Sequence, residues 1–152
     1  MYEKWKSRAF PYKIRTKCEH IFFTPREGGR MEETMQNEYE LKKLMCDIGK
    51  RIYDRNMVAA NDGNISVKLN DNEFLCTPTG VSKGFMTPDF ICKVDAQGNV
   101  IQANKGFRPS SEIKMHMRVY QKRPDVGAVV HAHPTFATSF AIAGIPLTQP
   151  IM

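Results

Sequence analysis

The chain holds 152 residues and 17.4 kDa, enough for one domain with its own core. Hydrophobic residues at 41% and charged residues at 25% exclude wholesale disorder, collagen and coiled coil, and no apolar run approaches the roughly 20 residues of a bilayer helix. The net charge of +6 is uneven: residues 1–30 carry eight Lys/Arg against three Asp/Glu, whereas residues 31–152 carry fourteen against thirteen.

Residues 1–30 form a basic N-terminal extension without helical or strand periodicity. The early lysines lead into no apolar stretch of signal-peptide length. Three readings stay open: an arm that touches nucleic acid, a disordered or loosely docked arm, and residues that precede the natural start. The last is preferred, because Met31 opens an acidic, helix-favouring stretch, and no nucleic-acid partner is expected. Cys18, Cys46, Cys76 and Cys92 form no C-x-x-C pair, which suggests reduced thiols in a cytoplasmic protein. The last three sit in apolar patterns and are expected to be packing residues.

Along the body, Leu41, Leu44, Met45, Ile48 and Ile52 recur at helical spacing and predict a first helix over Met35–Arg55. Asn61-Asp62-Gly63-Asn64 is a turn cluster. Ile65–Leu69 and Glu73–Thr77 predict a hairpin around Asn70-Asp71-Asn72. Thr87-Pro88-Asp89 reads as a capped short helix. Phe90–Val94 and Asn99–Ala103 predict a second strand pair. Pro109-Ser110-Ser111-Glu112 opens a helix to about Lys122, with Ser110 or Ser111 as its cap. Met115 and Tyr120 are expected in packed positions, and His116 is expected to be structural. Gly127–His131 predicts a short buried strand, and Pro134–Ala143 a last helix. These elements imply an α/β domain, a three-layer αβα sandwich with a mixed, mainly antiparallel sheet. Leu147–Met152 read as a further strand beginning.

His131-Ala132-His133 carries the sharpest chemistry. Alternate strand residues project to one face, so the two imidazoles can share a divalent metal. They can equally be two polar histidines at a strand end. Glu112 is the best partner, as metal ligand or as acid/base, although an acidic first turn by itself suits a helix dipole. Gly63-Asn64, Thr79-Gly80 and the Ser110-Ser111 hydroxyls can cradle a phosphate. Each of them, taken singly, is an ordinary turn or cap.

The ordered set Gly-Asn-Ile-Ser (63–66), Thr-Pro-Thr-Gly (77–80), Pro-Ser-Ser-Glu (109–112) and His-Ala-His-Pro (131–134) resembles the class II aldolase/adducin family. It is most similar to that family's L-fuculose-1-phosphate aldolase branch. The resemblance spans about residues 35–150 and implies the N-terminal two-thirds of such a domain in residues 31–152. It implies a Zn²⁺-dependent lyase that cleaves a small phosphorylated sugar such as L-fuculose 1-phosphate to dihydroxyacetone phosphate and an aldehyde. Carried over, Gly63, Asn64, Thr79, Gly80, Ser110 and Ser111 would bind the phosphate. His131, His133 and Glu112 would bind zinc, with Glu112 also the acid/base. An epimerase or dehydratase of the family would use much the same residues, and an adducin-like interaction module would dispense with the zinc ligands. The family implies a homo-tetramer. It also implies a third zinc-binding histidine from a later strand, whereas His133 is the last histidine of this sequence. The expectation is a C-terminally truncated member, a truncated gene product or gene fragment, with weakened zinc binding and little or no turnover.

Overall fold

A computed structural model describes residues 31–146 and Thr148, with side chains from Asn37 onward. The expectations for residues 1–30, Cys18 and a strand near 147–152 lie outside the described residues. The first helix, α1, covers Met31–Asp54. It begins four residues before the apolar stripe predicts, because its opening turn is acidic and polar and carries no hydrophobic signal. The strands are β1 (Asn64–Lys68), β2 (Glu73–Cys76), β3 (Cys92–Asp95), β4 (Val100–Gln102) and β5 (Ala128–His131). Helix α2 covers Ile113–Lys122 and α3 covers Thr135–Ile142. The sheet order is β4-β3-β2-β1-β5, and every pairing among the described strands is antiparallel.

Strict alternation along the strands divides the core into two halves. Phe74, Cys76, Cys92 and Val94 point to one face and meet Ile113, Met117 and Tyr120 of α2. Ile65, Leu75 and Ile91 point to the other and meet Met45 of α1 and Met86. Lys93, also on the α1 side, reaches Glu38 at 2.6 Å. The result is the expected αβα sandwich. Cys76 and Cys92 are buried packing residues, and burial pushes the Cys76 thiol up to about 12.

Four local expectations are corrected. β5 is not buried: Ala128 and Val130 are exposed, because it is the outer strand and, among the described residues, nothing covers its free edge. Neither Ser110 nor Ser111 is the cap of α2. Glu112 occupies that position with no side-chain capping bond, and its amide donates to Ser110 Oγ at 3.3 Å. Thr87 precedes a three-residue turn, Pro88–Phe90, without a capping bond from its hydroxyl. Met115, expected in the core or at an interface, is not in the core: it is exposed, since the buried stripe of α2 runs through Ile113, His116, Met117 and Tyr120.

Candidate active site

Three chain crossings build the site. The β1–β5 register sets Asn64 directly opposite His131. Paired residues project to the same face, here the face covered by α2. The second crossing joins Thr77-Pro78-Thr79-Gly80 to the start of α2. Pro78 bridges Pro109, the Ser110 amide donates to the Thr77 carbonyl at 3.0 Å, and the Thr79 amide donates to the Arg108 carbonyl at 2.9 Å. The third places His133: just past β5, its amide donates to the Met57 carbonyl at 2.8 Å.

At the junction, the Asn64 side-chain amide donates to Glu112 Oε2. His131 Nδ1 lies 3.1 Å from the same oxygen and 3.4 Å from Asn64 Nδ2. The His131 and His133 rings sit 4.7 Å apart, centre to centre. The Asn64 bond, reinforced by both imidazoles, holds the Glu112 carboxyl below its usual range, so it is ionised at neutral pH. Asn64 Oδ1 is buried and has no hydrogen-bond partner among the described residues.

A cleft of about 250 Å³ opens beside this cluster. Gly63, Asn64, Thr79, Gly80, Ser110, Ser111, Glu112 and His133 all line it, so eight of the nine residues singled out from sequence share one hollow. His131, the ninth, bonds Glu112 at its edge. Asn61 and Asp62 also line the cleft. Sequence reasoning placed them only in a turn, although their position directly before Gly63-Asn64 was the available signal. One expectation narrows: the Thr79 amide is spent on Arg108, so Thr79 can offer a ligand its hydroxyl but not its N–H.

Two imidazoles and a carboxylate are donors that zinc accepts. The donor types therefore fit such an ion. Among the described residues, no three His, Cys, Asp or Glu side chains already surround one point.

Beneath the site, Ser66 Oγ joins His116 Nδ1 at 2.7 Å and the Tyr120 hydroxyl at 2.8 Å. Burial pushes His116 down to about 4, so it is neutral. Its role in packing, read from sequence, is that of a buried hydrogen-bonded link between α2 and β1.

Residues 43–152 match the class II aldolase and adducin N-terminal domain. The chain is 39% identical over 94 residues to an L-fuculose phosphate aldolase of Methanococcus maripaludis, covering 62% of this chain and 49% of that one. It is 37% identical over 100 residues to a 3-oxo-tetronate 4-phosphate decarboxylase of Haemophilus influenzae, covering 66% and 46%. A solved L-fuculose 1-phosphate aldolase from Glaciozyma antarctica superposes with a TM-score of 0.68 at 22% identity over 78% of this chain and 50% of that one, which speaks for the fold. The chain spans about half the length of the relatives it matches, less than the two-thirds that the resemblance implied.

Proposed function

Because the chain belongs to the class II aldolase and adducin family, we propose that its cleft serves a zinc-dependent lyase reaction on a small sugar phosphate. The favoured substrate class is a ketose 1-phosphate such as L-fuculose 1-phosphate, split to dihydroxyacetone phosphate and an aldehyde. One observation carries this reading: hydroxyls and glycine loops suited to a phosphate share a hollow with Glu112 and His133.

In this reading the Ser110, Ser111 and Thr79 hydroxyls hold the phosphate, Gly80, with open space where a Cβ would stand, lets it approach the backbone, and Gly63 makes the turn that sets Asn64 on the cleft wall. That grip fixes the reacting carbons relative to Glu112. His131, His133 and Glu112 hold the metal in the resting state. A bound zinc supplies Lewis-acid polarisation of the substrate's carbonyl and hydroxyl oxygens. Glu112, held low first of all by the Asn64 amide, is a weak base at rest. Substrate entry that breaks that bond would raise its basicity and let it move the proton at the reacting carbon.

The test is aldol cleavage by the purified chain with added zinc. Dihydroxyacetone phosphate release is expected to stop on chelation. Glu112→Gln is expected to lower kcat by about 10²–10⁴ while phosphate binding persists. Cleavage unaffected by chelation, or unaffected by Glu112→Gln, would sink the reading. The decarboxylase relative at 37% identity favours a second reading, loss of CO₂ from a 3-oxo acid phosphate. Both reactions leave a negative charge on the carbon next to a carbonyl. Measuring CO₂ release from 3-oxo-tetronate 4-phosphate separates the two.

A further inference from the structure

A phosphate dianion placed in this cleft meets a difficulty. Among the described residues, the walls contribute two carboxylates, Asp62 and Glu112, and no Lys or Arg. Hydroxyls and amides alone are a poor match for a double charge beside two anions. A zinc ion on Glu112 would offset one of these charges; for the Asp62 side, the nearest described cation stands behind the walls.

Lys83 stands there. It is 1% exposed, among the most buried residues of the chain. Its ammonium donates to the Val81 carbonyl at 2.7 Å and to the Asn61 carbonyl at 3.2 Å. Those carbonyls belong to the two loops that carry Gly63-Asn64 and Thr79-Gly80. The backbone of Lys83 is itself fixed: a Cβ on Gly49 of α1 would come within 2.8 Å of the Lys83 carbonyl oxygen, so helix and turn touch directly. Burial lowers the Lys83 pKa, and the Asp62 charge works against that fall. A buried ammonium without a close carboxylate partner is costly, and mere packing would be better served by Met or Leu.

We propose that Lys83 is a positioning residue of the phosphate cleft: its ammonium ties the Asn61–Asn64 loop to the Thr79–Val81 loop and offsets the Asp62 charge where a phosphate sits. The inference rests on the phosphate reading given above. It adds a residue that does not line the cleft and that no motif marks.

The probe is inorganic phosphate, titrated into the full chain and followed by amide and lysine-ammonium NMR signals. In the native chain, the Gly63, Asn64, Gly80 and Ser111 amides are expected to move saturably, and the slowly exchanging Lys83 ammonium signal to move with them. Lys83→Met is expected to weaken phosphate binding about tenfold or more, the low end for one charged hydrogen bond. Affinity within twofold of the native chain would overturn the proposal and leave the phosphate reading intact. A tenfold loss with a static ammonium signal in the native chain would make Lys83 merely structural, and also overturns it. If Lys83→Met does not fold, the ammonium signal of the native chain decides alone: movement supports the proposal and stillness overturns it. A native chain that binds no phosphate sinks both readings together.

Discussion

Asn64 and Glu112 stand 48 positions apart in sequence, yet the Asn64 side-chain amide donates straight to Glu112 Oε2. The carboxylate sets the amide's orientation, since the reversed amide would turn Oδ1 against Oε2 and repel it. Asn64→Asp replaces the donor with a second negative charge. The Glu112 carboxyl, held low by that donor in the native chain, is then expected to titrate above its native position. A carboxyl held low in the fold stabilises above its ordinary range, and that contribution is lost as pH falls through the depressed value. The variant should lose this acid-side dependence. A carbon-detected NMR titration of Glu112 in both chains checks the direction, and an unchanged or lower midpoint in Asn64→Asp would refute it.

The Ser66 hydroxyl connects two side chains of α2, His116 Nδ1 at 2.7 Å and the Tyr120 hydroxyl at 2.8 Å. His116 Nε2 is buried and has no partner among the described residues. A neutral ring that donates from Nδ1 to Ser66 and leaves Nε2 bare accounts for both facts. Removing the hydroxyl with Ser66→Ala leaves the buried His116 Nδ1 without its partner, while the Tyr120 hydroxyl keeps the Val129 backbone, and is expected to cost about 1–3 kcal/mol. Adding Tyr120→Phe should cost less than the sum of the two single changes, since the groups form one chain. Urea midpoints of the three variants measure the coupling. Simple additivity would contradict it.

His116 also makes a pH prediction. Burial moves it from 6.5 to about 4. The unfolded chain therefore takes up a proton before the folded chain does. The stability contribution is full above about 6.5 and is lost as pH falls toward about 4. The size is roughly 3 kcal/mol, from about 1.4 kcal/mol per unit. Denaturation curves between pH 7 and 4 should show this slope, and His116→Asn should flatten it. A native slope that survives the substitution would have to come from other groups.

Much of this arrangement was legible in residues that act locally. Alternation along Ile65-Ser66-Val67 and Phe74-Leu75-Cys76 is enough to assign each strand's two faces, because side-chain direction follows from the strand itself. The nine candidate residues came from four short motifs, and eight of them line the cleft. What escaped depends on distant partners. The Asn64–His131 register is fixed by two strands 67 positions apart, so neither motif reveals that Asn64 faces Glu112. Lys83 lies in a short polar stretch that looks solvated, and only the loops that close over it make it buried. β5 is rich in valine, which signals burial, but its position at the sheet's edge leaves it half open.

Gly63 and Gly80 share the same left-handed φ of +72° but not the same surroundings. A Cβ on Gly63 would meet Val58 Cγ1 at 2.6 Å and the His131 carbonyl oxygen at 2.8 Å, whereas one on Gly80 meets nothing within 4 Å. Gly80→Ala should pay only the backbone cost, about 1–2 kcal/mol. Gly63→Ala adds a clash with the backbone of the very residue that carries the His131 imidazole, and is expected to cost at least about 2 kcal/mol more. It should also disturb the His131 signals, which Gly80→Ala should leave in place. Equal losses at the two glycines would mean that the β1–β5 edge yields freely.

Phe74 and Phe136 test the uneven burial of the chain. Phe74 is 3% exposed and lies 4.9 Å from the Tyr120 ring, centre to centre, in the core between the sheet and α2. Phe136, in α3, is 83% exposed. Burial, not residue type, sets the cost of losing an aromatic ring. Phe74→Ala should destabilise by about 3–5 kcal/mol through lost transfer energy and a cavity. Phe136→Ser removes an equally large apolar group from contact with water, and is expected to change stability by no more than about 0.5 kcal/mol. It should also raise the concentration at which the chain aggregates, because it shrinks the apolar surface formed by Phe136, Phe140 and Ile142. Thermal unfolding of the two variants beside the native chain reads the first effect, and light scattering reads the second. A loss of several kcal/mol at Phe136 would mean that α3 is covered in solution by a surface outside the described residues.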